Sequence, residues 1–125
     1  MELSGQCLCK KIQIRVKPAH KNFHVCHCST CVQWGGGPLF AIDCATDVSF
    51  NGEDHIATYA SSHWASRGFC SSCGTHLFYR FNENGQMIIP TGLFTLPKDF
   101  VLDAQIFIDH KPNYYSLANE TQMLT

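Results

Sequence analysis

Phe69-Cys70-Ser71-Ser72-Cys73-Gly74 is the stretch of sequence that decides how this chain folds. It places two cysteines three positions apart and follows them with a glycine, which tolerates the positive φ of a tight turn. Near the start of the chain, Cys7-Leu8-Cys9 forms a second close pair. A disulfide between such near neighbours would be strained, whereas a metal ion can draw adjacent thiolates inward. The two pairs therefore predict one closed, tetrahedral zinc site of structural type, with buried free cysteines as the alternative.

A third group of cysteines lies in the stretch Cys26-His27-Cys28-Ser29-Thr30-Cys31 and has no matching fourth cysteine. Catalytic zinc sites keep one coordination position open, so three thiolates predict an open site. The alternative is a second closed site, completed by His24, His27, Cys44 or a distant histidine. Three thiolates donate enough charge to weaken zinc as a Lewis acid, which favours holding an incoming thiol over activating water.

Length and composition predict one small folded domain. The chain has 125 residues, of which 45% are hydrophobic and 15% charged, so we expect a single domain over 1–125 with its core at about 5–117. The net charge of -1 and the lack of a Lys/Arg cluster argue against nucleic acid or an anionic membrane as partner. No secretory signal or membrane-spanning run is recognisable, and clustered cysteines fit a reducing compartment, so a cytoplasmic location is expected.

Hydrophobic patterning predicts a mainly β fold. Ile12, Ile14 and Val16 alternate with polar residues, which is the period of a half-buried strand. Asn84-Gly85 predicts a tight hairpin turn. The predicted strands are residues 11–16, 38–43, 47–50, 56–60, 64–69, 76–81, 86–90 and 104–108. Only residues 29–34 and 95–100 suit helical turns, and the polar tail from Ser116 onward is expected to add little.

The order of these motifs resembles the glutathione-dependent formaldehyde-activating enzyme family. The resemblance runs from about Gly5 to Leu117, nearly the whole chain. It rests on Gly5-x-Cys7-x-Cys9, Cys26-His27-Cys28-x-x-Cys31, Phe69-Cys70-x-x-Cys73-Gly74-Thr75, and Ile106-Phe107-Ile108-Asp109 followed by Lys111-Pro112. The chain departs from the family pattern at Lys10, where glycine is usual, at Val32-Gln33 and at Asn113-Tyr114.

The resemblance implies a zinc-binding β-tent of several coiled antiparallel sheets. It implies two zinc ions per chain, one structural and one catalytic. The structural ligands would be Cys7, Cys9, Cys70 and Cys73, and the catalytic ones Cys26, Cys28 and Cys31. The implied activity is that of a carbon–sulfur lyase, which adds glutathione or a similar thiol to formaldehyde or another small aldehyde. A small-molecule thiol and an aldehyde are thus the expected partners.

Three other function classes use cysteine-bound zinc or a reactive cysteine in a similar way. A non-catalytic interaction or chaperone module of the same fold is the main alternative. A methionine sulfoxide reductase of the B type would need an unligated reactive cysteine, and Cys44 is the only spare one. A zinc deaminase is set aside, because such an enzyme needs a Cys/His-x-Glu motif and a Pro-Cys-x-x-Cys motif, and this chain has His27-Cys28 and Phe69-Cys70 at the comparable places.

Four residue types outside the cysteine clusters carry expectations of their own. His27 is expected to face solvent, with a contact that tunes the neighbouring thiolates as the alternative. Arg67 is expected to be exposed, with anchoring of a substrate carboxylate as the alternative. Trp34 and Trp64 are expected in the core. Cys44 is expected to be a buried apolar residue.

Overall fold

The computed structural model describes residues 1–125 and confirms a mainly β fold, with 41% of the residues in strands and 13% in helices. The chain divides into two compact units, which are Met1–His20 with Ile42–Leu96, and Lys21–Ala41 with Pro97–Thr125. The single domain over 1–125 stays a prediction. None of the helices combines the length and apolar character that crossing a membrane requires.

Eleven strands, one α-helix and three short 3-10 helices make up the structure. The strands are β1 Leu3–Gln6, β2 Gln13–Val16, β3 Asn22–Cys26, β4 Leu39–Asp43, β5 Val48–Asn51, β6 Ile56–Ala60, β7 Ala65–Cys70, β8 His76–Phe81, β9 Met87–Pro90, β10 Val101–Ile106 and β11 Gln122–Met123. The helix α1 is Ser29–Gly35, and the 3-10 helices are Glu53–His55, Thr91–Leu93 and Ile108–His110.

The first unit is built from antiparallel strands. β2 pairs with β1 on one side and β5 on the other, and β6, β7, β8 and β9 pair in sequence order. The Phe50 and Phe78 rings pack at 5.8 Å between centroids, a favourable aromatic distance. Gly68 permits this packing, since a Cβ there would lie 2.2 Å from the Phe78 ring. The predicted turn is also present, because Gly85 has a φ of 75° and the Gln86 carbonyl accepts from the Phe81 N–H.

Fully buried aliphatic side chains form the core of the first unit. Each contributes about 1.5–3 kcal/mol to the free energy of unfolding by leaving water. The largest are Ile12, Ile14, Ile42, Leu77 and Ile89. The alternation of buried Ile14 and Val16 with exposed Gln13 and Arg15 confirms the predicted strand, which begins two residues later than expected.

The second unit contains parallel as well as antiparallel pairs. β3 is antiparallel to the start of β4 and parallel to β10, and β10 is parallel to β11. The helix α1 begins directly after Cys28, which caps it, and ends before Gly36, whose φ is 83°. This confirms the predicted helical turn at residues 29–34. Cys26 at the end of β3 and Cys31 in α1 are thereby brought close together.

Two expectations about local structure are wrong. Residues 95–100 form no helix, because Pro97 disfavours the helical conformation of Leu96. The tail after Ser116 does contribute to the fold, since β11 pairs with β10 and its backbone forms hydrogen bonds with residues in and just after that strand. The Leu124 N–H donates to the Gln105 carbonyl at 2.8 Å, and the Ile108 N–H donates to the Leu124 carbonyl at 2.9 Å.

Candidate functional site

The four-cysteine cluster, Cys7, Cys9, Cys70 and Cys73, lies in the first unit. Its sulfur atoms all lie within 4.8 Å of one another. The Cys9 sulfur is 3.6 Å from that of Cys7 and 3.7 Å from that of Cys70. A tetrahedron with zinc–sulfur bonds of about 2.3 Å has edges of about 3.8 Å. The spacing of the thiols therefore fits a zinc ion at their centre.

Two tight turns hold these thiols in place. The Lys10 N–H donates to the Cys7 carbonyl at 3.1 Å, and the Gly74 N–H donates to the Cys70 carbonyl at 2.8 Å. Lys10 has a φ of 66° and Gly74 a φ of 78°, so both turns use a left-handed residue. Glycine adopts this backbone conformation freely, whereas the lysine adopts it at a cost of about 1–2 kcal/mol.

Hydrogen-bond donors are directed at the sulfur atoms of the four-cysteine cluster. The Ile12 N–H donates to the Cys7 sulfur at 3.4 Å, and the Cys73 N–H donates to the Cys70 sulfur at 3.5 Å. The Thr75 hydroxyl lies 3.1 Å from the Cys73 sulfur. Such donors stabilise thiolates, which are the form in which cysteine binds metal.

The thiols of this cluster differ in acidity. The Thr75 side chain, helped by backbone donors, lowers the pKa of Cys73 to about 5. At Cys9 the Lys11 N–H acts in the same direction, but desolvation and the hydrogen bonds with the other three cysteines outweigh it and raise the pKa to about 11. Ionising one thiol thus opposes ionising its neighbours, and a bound cation would remove that opposition.

The three-cysteine cluster, Cys26, Cys28 and Cys31, lies in the second unit. Its sulfur atoms also lie within 4.8 Å of one another. Cys26 and Cys31 are buried and Cys28 is partly exposed. The Cys31 N–H donates to the Cys28 sulfur at 3.3 Å, and hydrogen bonds with Cys28 and Cys31 hold the pKa of Cys26 above its usual value. This donor set also fits a thiophilic cation such as zinc.

No fourth side chain joins the three-cysteine cluster. No histidine, cysteine or carboxylate atom other than the three sulfurs belongs to this group, so His24 and Cys44 do not complete it. His27 is unsuited to the task, because its Nδ1 lies 2.6 Å from the Tyr115 hydroxyl and its Nε2 lies 2.9 Å from Gln105 Oε1. A set of three thiols is compatible with the open coordination position that the sequence predicts.

His27 is fully buried, so the expectation that it faces solvent is wrong. Its two ring nitrogens find partners that lie 88 and 78 positions further along the chain. Sequence reasoning missed both partners, Tyr115 and Gln105. Neither has a nearby motif that would signal the contact, and only the pairing of β3 with β10 brings Gln105 to this place.

Cys44 is a buried residue, as expected. Burial, together with the charges of Asp43 and Asp47, raises the pKa of its thiol to about 12. A redox-active cysteine needs an accessible thiol with a depressed pKa. Cys44 therefore lacks the properties that a methionine sulfoxide reductase would require.

The expectations for Arg67 and Trp64 are wrong in opposite directions. Arg67 is only 4% exposed, because it lies on β7 between two paired strands. Its Nε donates to the Ser61 hydroxyl at 3.2 Å, and its guanidinium lies 4.8 Å from the centre of the Tyr79 ring. Trp64 immediately precedes β7 and is 62% exposed. Trp34, at the end of α1, is half-buried.

Comparisons with known proteins identify the family of this chain and a solved structure with the same fold. The family described as glutathione-dependent formaldehyde-activating enzyme matches residues 2–110. An uncharacterized lyase of Schizosaccharomyces pombe is 37% identical over 125 residues, which cover 99% of this chain and 91% of the relative. A crystal structure of a Rhodobacter sphaeroides protein has the same fold, with a TM-score of 0.64 and 21% identity over 77% of this chain and 93% of the other. The chain belongs to the glutathione-dependent formaldehyde-activating enzyme family.

Proposed function

We propose that this protein is a lyase-type enzyme that adds a thiol of the glutathione class to formaldehyde or a similarly small aldehyde. The family points to glutathione and formaldehyde, and the Schizosaccharomyces pombe relative is named as a lyase. The observation that carries the proposal is the three-cysteine cluster, whose thiols converge with no fourth ligand. That arrangement suits a metal site with a place for an incoming thiol.

The two clusters take different roles in this proposal. Cys7, Cys9, Cys70 and Cys73 hold a structural zinc, and Cys26, Cys28 and Cys31 hold a second zinc. When bound at the second site, zinc supplies a positive centre that lowers the pKa of a substrate thiol. The chain itself positions the three thiols, because Cys26 ends a strand, Cys28 caps α1 and Cys31 lies in the first turn of that helix.

The proposed reaction is an addition that needs no oxidant or reductant. The sulfur of the thiol forms a bond to the aldehyde carbon while the carbon–oxygen double bond becomes single. The thiol proton leaves sulfur and a proton is delivered to the aldehyde oxygen, so the product is a hydroxymethyl thioether when the aldehyde is formaldehyde. Cys26 and Cys31 are buried, so these two thiols are themselves shielded from water.

Exchange spectroscopy tests the proposal directly. Carbon-13-labelled formaldehyde and glutathione are mixed with the full chain, and the exchange rate between free aldehyde and adduct is compared with the protein-free rate. We expect acceleration by the wild type and by Cys44→Ser, and the protein-free rate for Cys28→Ser. If the wild type holds two zinc ions yet gives no acceleration with glutathione or with smaller thiols, the protein is a non-catalytic metal-binding module.

A reducing compartment such as the cytoplasm is the proposed location. None of the eight cysteines forms a disulfide, and seven of them lie in the two convergent clusters. In an oxidising compartment, thiols that are close in space but distant in sequence, such as those of Cys9 and Cys70, would lose electrons to an external oxidant and form disulfides. Fluorescence microscopy of the tagged full chain checks this, and a secreted or periplasmic signal would contradict it.

A further inference from the structure

His27 lies between two proposed ligands, yet its side chain belongs to a buried hydrogen-bond chain outside the cluster. The side chain is fully buried, and both ring nitrogens have partners at normal distances. Its backbone N–H also donates to the Ile106 carbonyl at 3.1 Å. The residue that separates Cys26 from Cys28 is thus held at three points.

The hydrogen bonds around His27 form one consistent sequence of donors. Gln105 Nε2 donates to the Thr121 hydroxyl at 2.9 Å, which leaves Gln105 Oε1 as an acceptor for the His27 Nε2–H. In the neutral imidazole, Nδ1 is then an acceptor, and the Tyr115 hydroxyl donates to it. Each side chain in this hydrogen-bond network has a partner, which is the condition under which a buried polar network rigidifies its surroundings.

The residues beyond this chain are themselves held in place. The Lys111 ammonium donates to the Pro112 carbonyl at 2.8 Å and to the Tyr115 carbonyl, and it lies 4.7 Å from the centre of the Tyr115 ring. On the other side, Gln105 lies on β10, where β11 pairs with it. His27 is therefore fixed from two directions by segments more than 70 positions away.

We propose that Tyr115 and Gln105 are positioning residues for the three-cysteine cluster, acting through His27, and that the C-terminal segment 111–124 is a working part of that site. This inference rests on the proposed role of the cluster as a metal site. Because His27 is bonded by peptide links to Cys26 and Cys28, fixing its ring and its backbone restricts the positions of the two Cα atoms from which the neighbouring thiols project. Loss of one hydrogen bond leaves a buried ring nitrogen unsatisfied, which favours a rearranged loop.

Release of cobalt from the full chain tests the inference. Co²⁺ replaces zinc at both clusters, its thiolate absorption reports coordination geometry, and transfer to a chelator gives a release rate for each site, assigned with Cys28→Ser. For Tyr115→Phe we expect about tenfold faster release from the three-cysteine cluster, the size typical of outer-shell partners of a metal site. Release from the four-cysteine cluster should not change, which is an internal control for folding.

Two further variants keep the test decisive. Tyr114→Phe is the matched control, because that hydroxyl belongs to a neighbouring tyrosine that is 73% exposed, and it should behave as wild type. Thr121→Val removes the hydroxyl that accepts from Gln105 Nε2 and leaves the shape of the side chain unchanged. It should speed Co²⁺ release from the three-cysteine cluster by a smaller factor than Tyr115→Phe does. If Tyr115→Phe does not fold, Thr121→Val decides the question.

The possible results separate this inference from the proposed function. If folded Tyr115→Phe and Thr121→Val release Co²⁺ at the wild-type rate and keep the wild-type absorption spectrum, the positioning role is wrong. That result leaves the proposed function intact. Faster release in the variants, with no acceleration of glutathione addition by the zinc-loaded wild type, supports the positioning role and sinks the proposed function. Absence of Co²⁺ from the wild-type three-cysteine cluster overturns both.

Discussion

The four-cysteine cluster joins two turns whose nearest cysteines, Cys9 and Cys70, lie 61 positions apart, whereas the three-cysteine cluster lies within the six residues from Cys26 to Cys31. Closing the longer loop costs about 2 kcal/mol more conformational entropy than closing the shorter one. A metal in the first cluster offsets that cost in the folded state, since the unfolded chain rarely presents such a site ready-made. A metal in the second cluster organises only a strand end and the first turn of a helix.

Under the proposed function, the number of ligands and their distance along the chain would distinguish the structural metal site from the reactive one. Both clusters use thiols, buried positions and backbone donors to sulfur. The two clusters differ in composition and in chain distance. The four-cysteine cluster has four thiols from two segments that are distant in sequence, whereas the three-cysteine cluster has three thiols from one short segment. The following four predictions test this difference, beginning with the largest expected effect.

Cys73→Ser should remove most of the stability of the fold. Structural zinc contributes roughly 10 kcal/mol or more to the folding of small domains, and a weakened site loses a substantial part of it. Even a loss of about 3 kcal/mol would lower Tm by about 10 °C in a chain of this size. Thermal melting followed by circular dichroism measures the effect. Cys44→Ser is the control, and a Tm for Cys73→Ser equal to that of the control would contradict the structural role.

Cys28→Ser should leave the fold in place while removing one metal ion and the proposed activity. Cys28 is partly exposed and its metal spans a short loop, so we expect Tm to change by no more than about 4 °C, equivalent to about 1 kcal/mol. Metal analysis should give one zinc per chain where the wild type gives two. Unfolding comparable to that of Cys73→Ser, or retention of two zinc ions, would erase the distinction between the clusters.

A competing ligand should remove the two metals in a fixed order. The three-cysteine cluster offers fewer ligands and an open position, so its metal should transfer first to a chelator. Glutathione at millimolar concentration should alter the absorption of Co²⁺ at this cluster before it affects the four-cysteine cluster. Titration of the Co²⁺-loaded chain measures the order, and simultaneous release from both clusters would show that the two sites are equally closed.

Lys10→Gly should stabilise the protein by about 1 kcal/mol, because it relieves a left-handed backbone that lysine adopts at a cost. The corresponding turn already has Gly74, so the substitution makes the two turns of the four-cysteine cluster alike. Urea unfolding of the metal-loaded protein measures the gain. Lys11→Gly, at a neighbour without positive φ, is the control and should stabilise nothing; equal stability of wild type and Lys10→Gly would show that the turn is not strained.

Much of the site could be predicted from sequence because the ligands are clustered locally. Cys-x-Cys, Cys-x-Cys-x-x-Cys and Cys-x-x-Cys spacings limit where a metal can lie, since short peptides bring such thiols together in few ways. Period-two alternation located β2, and the Asn84-Gly85 pair located the turn between β8 and β9. The strands β1, β3 and β11 were missed, because their sequences lack a clear alternation and they form by pairing with partners elsewhere.

The amino-acid sequence by itself determined the mainly β class, the two groups of cysteines, the burial of Cys44 and the family. Each of these depends on residues that are close in sequence or on composition. Only the tertiary structure decided that His27 and Arg67 are buried, that Trp64 is exposed, and that Tyr115 and Gln105 reach the ring of His27. The physical reason is that burial and long-range hydrogen bonding depend on which strands pair, and the parallel pairing of β3 with β10 leaves no periodic signal in either segment.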